Sequence, residues 1–180
     1  LAMKTFEDLI LVIPDALELK TCSEIIGKFE QDNNNSMDLA ISPLKEWESI
    51  DEILYKSTTE SLEKYSDHVQ FNDKVYWSMN RQDSGYKVQK YSPDYSSNWH
   101  SNRYGDSGWS RAISYIWWLN DVKEGGEIEF AFGMKIRPKA GGLLLFPACW
   151  TFPYREMPPE NGNKYVITTF ISTSENIPDS

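Results

Sequence analysis

Arg111-Ala112-Ile113-Ser114-Tyr115-Ile116-Trp117-Trp118-Leu119-Asn120-Asp121 is the stretch on which the fold turns. From Ala112 to Leu119 it is apolar, β-branched and aromatic, the content of a buried strand. Asn120-Asp121-Val122 and Gly125-Gly126 then read as turns. Downstream, Glu127–Phe132 alternates with Phe130 and Phe132 on one side, as a half-buried strand does. Lys135–Pro138 reads as a short strand, and Ala140-Gly141-Gly142 turns the chain into the apolar run Leu143–Phe146. Lys164–Ser172 is the last strong β segment. Upstream, Tyr86–Tyr91 alternates, and Asn102 to Ser110 is loop-like. Many short strands separated by turns predict a sandwich or barrel.

The first half has a different period. Leu9–Ile13 predicts a short strand, broken at Pro14. Thr21 is a candidate N-cap, with Glu24 at the third position of a capping box. Ile25, Ile26 and Phe29 form the expected buried face, and the helix should stop before the polar loop Gln31–Ser36. From Pro43 to Tyr65, Leu44, Trp47, Ile50, Ile53, Leu54, Leu62 and Tyr65 recur at three-and-four spacing. Charged residues fill the opposite face, and Thr58-Thr59 marks a possible break into two helices. Helices first and strands afterwards predict one α+β domain over residues 1–180, with 1–84 as mainly helical support.

Composition narrows the function. The 180-residue chain is 40% hydrophobic and 25% charged, within the range of ordinary globular domains. A net charge of -9 argues against a nucleic-acid binder, which needs a basic face. For the same reason an anionic ligand would need a specific local cation. No apolar run approaches the roughly 20 residues of a membrane span. Cys22 and Cys149 stand far apart and read as free thiols in a reducing cytoplasm.

The chemistry centres on Asn98-Trp99-His100-Ser101-Asn102. In an extended segment residues i and i+2 share a face, so His100 and Asn102 should enter one cavity. A His-x-Asp/Glu pair so placed supplies two ligands of a 2-His-1-carboxylate iron site. Here the second position holds an amide. The other histidine, His68, falls near a helix end and reads as a surface residue.

These residues carry a family resemblance from about Gly85 to Ile171. Tyr91 stands nine positions before His100. Arg111 leads into Tyr115–Asp121, similar to an R…YLND strand. Gly125–Phe130 resembles a GGETxF turn, and Ile136–Gly141 a VxPkxG run. Leu143–Pro147 resembles the strand before a second histidine, and Arg155 with Pro158-Pro159 an HRGxPP segment. Gly162–Thr168 resembles a closing G-x-K-Y strand. In that order they resemble the 2-oxoglutarate/Fe(II)-dependent dioxygenases of the prolyl 4-hydroxylase-like branch. The resemblance implies a double-stranded β-helix, a jelly roll with N-terminal helices packed on one sheet, whose core spans residues 85–172.

The resemblance also implies roles. His100 matches the first iron ligand, while the acidic ligand falls on Asn102 and the second histidine on Tyr154. Tyr91, Trp118 and Lys164 fall where 2-oxoglutarate would be held. An amide is a neutral, weaker ligand than a carboxylate, and a phenol must lose its proton to bind a metal. Glu156, Asp94 and Asp106 are candidate replacement ligands or turn residues. Lys164 on an inward-facing strand needs an anion beside it, either a dicarboxylate or an internal acid such as Glu127. Trp99 and Trp150 read as core or pocket-wall aromatics. Two functions follow. One is a hydroxylase using Fe(II) and 2-oxoglutarate, impaired or inactive because its triad is incomplete. The other is a metal-free jelly-roll module that binds an organic acid, a peptide or a partner protein.

Overall fold

The computed structural model describes residues 5–69, 80–95, 98–103 and 110–174. Among these the order is β1 (Leu11–Ile13), α1 (Leu19–Asp32), β2 (Asp38–Ala40), α2 (Glu48–Val69), β3 (Asn80–Asp83) and β4 (Lys87–Tyr91). Then come β5 (Ser110–Trp118), β6 (Ile128–Phe130), β7 (Lys135–Ile136), β8 (Leu143–Pro147), β9 (Tyr154–Glu156) and β10 (Lys164–Ser174). A seven-stranded antiparallel sheet runs β1-β8-β5-β10-β4-β2, with β3 also paired to β10. A three-stranded sheet runs β7-β6-β9.

The large sheet is buried on both faces, which explains the unbroken apolar run in β5. Tyr115 and Trp117 face the helices, packing with Ile25, Phe29, Trp47 and Leu54. Ile116 and Trp118 face inward, packing with Ile128, Phe130 and Tyr154 of the small sheet. On β10, Ile167 and Ile171 join the helix-side core and Val166 the inner one. Alternation of period two thus supplies two cores from one sheet. The result is the expected α+β jelly roll with helices packed on one sheet.

Several local expectations are corrected. Helix α1 begins at Leu19, not after Thr21, and its N-cap Glu18 makes no side-chain cap. Burial of Cys22, Ile25 and Phe29 against the sheet sets its position instead of a capping box. Ile26 is only partly buried, and the helix runs on to Asp32. Helix α2 passes unbroken through Thr58-Thr59, because each hydroxyl donates back to the preceding turn: Thr58 to Leu54 O at 2.8 Å and Thr59 to Tyr55 O at 3.0 Å. Ile53 points to solvent while Leu54 is buried. Strands β2, β3 and β9, each three or four residues long, went unforeseen. Trp99 and Trp150 are neither core nor pocket wall, being 47% and 69% exposed. Both cysteines are free, and His68 is exposed near the end of α2. No described helix is long and apolar enough to cross a membrane.

Candidate functional site

A cavity of about 510 Å³ opens between the two sheets. Strand β4 brings Gln89 and Tyr91 to its wall, β10 brings Thr168 and Phe170, and β9 brings Tyr154 and Glu156. His100 reaches it through an antiparallel bridge to Tyr154. His100 N–H donates to Tyr154 O at 3.0 Å, and Tyr154 N–H returns to His100 O at 2.9 Å. A pair that exchanges both bonds projects its side chains to one face, and the two rings lie 4.3 Å apart. Asn102 also lines the cavity, so the i, i+2 reading of the segment holds.

The three side chains therefore converge, and two of them, Asn102 and Tyr154, are bonded to each other. Asn102 Nδ2 donates to the Tyr154 hydroxyl at 2.9 Å and to Ser114 Oγ at 3.1 Å. Tyr154 is buried, and burial pushes its phenol well above the ordinary tyrosine range; the nearby Glu156 carboxylate adds to the rise. The bond from Asn102 and the charge of Arg111 act the other way, without overcoming burial. The phenol thus stays protonated at neutral pH. His100 Nδ1 lies 3.0 Å from Asn98 O, a carbonyl that can only accept. Nδ1 is therefore the donor of that bond.

Ferrous iron does not fit this set. It would meet one imidazole, one neutral amide turned to its neighbour, and a phenol held protonated. Among the described residues no unpaired carboxylate lines the cavity. Among the described residues no group of three or more His, Cys, Asp or Glu is placed to hold a metal. Asp94 is exposed in the Ser92–Tyr95 turn, away from the cavity wall. Asp106 lies outside the described residues.

Glu156 has another partner. Its Oε2 lies 2.5 Å from Lys164 Nζ. Lys164 is completely buried, and its ammonium also donates to Gly126 O at 3.0 Å and Met157 O at 3.3 Å. All three donors of the ammonium are used within the chain. Of the two anions considered for Lys164, the internal acid is present, and it is Glu156 rather than Glu127. Glu127 pairs with Arg137 at 2.9 Å.

The residues expected to hold 2-oxoglutarate all face the inner side of the large sheet, with Tyr91 paired to Lys164 across β4 and β10. Tyr91 lines the cavity, whereas Trp118 and Lys164 do not. Tyr91 lies under the Lys164 ammonium, 4.8 Å from ring centre to Nζ. Burial, followed by the Glu156 charge, raises its phenol well above the usual range. Trp118 is fully buried in the inner core, and its indole N–H has no hydrogen-bond partner. Around it Phe130, Phe146 and Tyr154 fill the space between the sheets with edge-on ring contacts, including Phe130–Phe146 at 5.0 Å and Phe146–Tyr154 at 5.1 Å.

Sequence reasoning missed two further residues. Ser114 anchors Asn102, and Arg111 lines the cavity instead of merely leading into its strand. The polar residue at 114 inside an apolar run was a usable signal. Nothing comparable marked Arg111.

Comparison with known proteins agrees with this architecture. Residues 86–172 match the family model described as the 2OG-Fe(II) oxygenase superfamily. No curated protein sequence matches the chain. In structure it is similar to a viral collagen prolyl hydroxylase from Paramecium bursaria Chlorella virus-1. The TM-score is 0.75 at 17% identity, over 93% of this chain and 90% of that one. A second structure of that viral enzyme, described as a 2OG complex, aligns with TM-score 0.72 at 18% identity, over 93% of this chain and 97% of that one. A Pseudomonas putida prolyl-4-hydroxylase aligns with TM-score 0.63 at 14% identity, over 95% of this chain and 97% of that one.

Proposed function

We propose that the chain, whose residues 86–172 match the 2OG-Fe(II) oxygenase superfamily model and whose fold is prolyl hydroxylase-like, acts as a binding module without iron chemistry. The observation that carries this reading is the closed polar set Asn102–Tyr154–Ser114. The Asn102 amide nitrogen bonds both hydroxyls, so the two residues that the resemblance puts at ligand positions, Asn102 and Tyr154, are tied to each other. The Lys164–Glu156 pair supports it, because an ammonium already neutralised by a carboxylate has no net charge left for a dicarboxylate.

The groove retains what a binding site needs. Its volume lies within the usual range for ligand pockets of roughly 300–1,000 Å³. Its wall combines the aromatic side chains of Tyr91, Tyr95 and Phe170 with the polar groups of Gln89 and Thr168. The ligand is an organic acid, a peptide or an extended segment of a partner.

One observation favours the hydroxylase reading. The unpartnered Trp118 N–H is a buried donor waiting for an acceptor, and 2-oxoglutarate would supply one. A single neutral donor does not complete an iron site. Incubation with Fe(II), 2-oxoglutarate and oxygen separates the two readings. We expect no succinate above a His100→Ala control. Succinate formed by the natural chain and lost in that variant would establish the enzyme.

A further inference from the structure

The groove contains one charge that no carboxylate among the described residues answers. The Glu156 carboxylate on its wall is held by Lys164. Lys87 at its rim lies 3.5 Å from Asp38. Arg111 has no carboxylate partner among the described residues; its guanidinium instead lies flat against the Phe170 ring, 4.0 Å from the centroid.

A backbone irregularity places Arg111 there. Along β5 and β10, Ile113 pairs with Ile171, but the next pair is Arg111 with Ser172. Ala112 is the extra residue of a β-bulge. It turns with Ile113 toward the helix-side core, and the side-chain alternation shifts by one. Arg111 consequently points into the groove, where regular pairing would have put the alanine methyl. Bulges re-aim side chains in this way at functional sites.

Resting on the reading of the groove as a binding site, we infer that Arg111 is the anchor for a carboxylate group of the ligand. The chain as a whole carries -9, so an acidic ligand is repelled everywhere except at such a local cation. A guanidinium stacked on an arene keeps its edge donors free and pre-oriented for the two oxygens of a carboxylate. Asn102 and His100 stand on the same cavity wall, within the groove a carboxylate would enter. The carboxylate comes from a free small acid or from an acidic side chain of an extended peptide.

The test is titration calorimetry with succinate, with a blocked aspartyl tripeptide, and with its asparaginyl twin. It uses the natural chain, Arg111→Gln, Arg111→Lys, and a groove-filling Thr168→Tyr variant. The inference expects succinate or the aspartyl peptide to bind and the asparaginyl twin not to. Whichever binds identifies the source of the carboxylate. Arg111→Gln should weaken binding by about 10-fold or more, the scale of a charge-assisted hydrogen bond. Arg111→Lys should recover part of it, a check against simple misfolding. Equal binding to the natural chain and Arg111→Gln, with loss in Thr168→Tyr, would overturn the anchor while leaving the groove as a binding site. Binding that ignores both positions would overturn anchor and groove together. Absence of binding by every carboxylate probe would overturn the anchor.

Discussion

Tyr154 shows how one side chain redirects a site. A histidine there would offer a lone pair to a metal; the phenol offers a protonated oxygen, already hydrogen-bonded by Asn102. Because burial raises its folded-state pKa above the unfolded value, its contribution to stability is complete below about pH 10 and is lost as pH rises beyond that. Tyr86 and Tyr91 are shifted the same way, also by burial. Thermal unfolding followed across the alkaline range should therefore show a falling melting temperature, with a shallower fall in Tyr154→Phe. At neutral pH that variant should lose about 1 kcal/mol, the net worth of one hydrogen bond. An alkaline slope identical to that of the natural chain would contradict the assignment.

The Lys164–Glu156 pair gives a second residue-scale outcome. Lys164→Met leaves a carboxylate buried without its cation, which typically costs about 3–5 kcal/mol. The double replacement Lys164→Met, Glu156→Leu removes both charges and should cost less than the lysine replacement alone. Denaturant titration of the variants measures this, and additive losses would refute the pairing. The sequence announced that a buried lysine at 164 needs an anion. It could not say which, because Glu156 meets it only after Pro158–Asn163 folds back to bring β9 beside the start of β10.

At the scale of elements, legibility followed apolar content and flanking turns: short β1, β6 and β7 were readable, whereas β2, β3 and β9 were not. Strands β5, β8 and β10 carry five or more residues of apolar or alternating sequence, and all three were read correctly in type. In β9, Tyr154 and Glu156 could be placed by resemblance but not by pattern. The Ala112 bulge left no trace in the sequence, since alanine suits either face. The glycine turns were readable because their backbone demands them. Gly141 has φ +81°, and a Cβ there would meet Leu17 O at 2.6 Å. The same turn holds the N-terminal segment, with Leu17 N–H donating to Gly141 O at 3.0 Å. Gly141→Ala should therefore cost about 1–3 kcal/mol, the usual price of a non-glycine residue in the left-handed region plus the displaced carbonyl. A melting temperature within error of the natural chain would show that the turn relaxes freely.

For the molecule as a whole, the scaffold is what it shares with the family model and with the prolyl hydroxylase structures. The jelly roll is preserved through both of its cores, one against the helices and one between the sheets. Composition and motif order sufficed to read that scaffold. They sufficed as well to bring His100, Asn102 and Tyr154 to one place. What the residues do to each other once there was not legible, because hydrogen bonding between Asn102, Tyr154 and Ser114 depends on three elements meeting. Fold alone does not fix the chemistry of the site it carries.

Anaerobic calorimetric titration with Fe(II) tests this most directly, applied in parallel to the natural chain and to the double variant Asn102→Asp, Tyr154→His. The account expects no saturable iron binding by the natural chain, and one equivalent bound by the variant, where a carboxylate and a second imidazole complete the triad around His100. One equivalent of iron bound by the natural chain, and lost in His100→Ala, would contradict it.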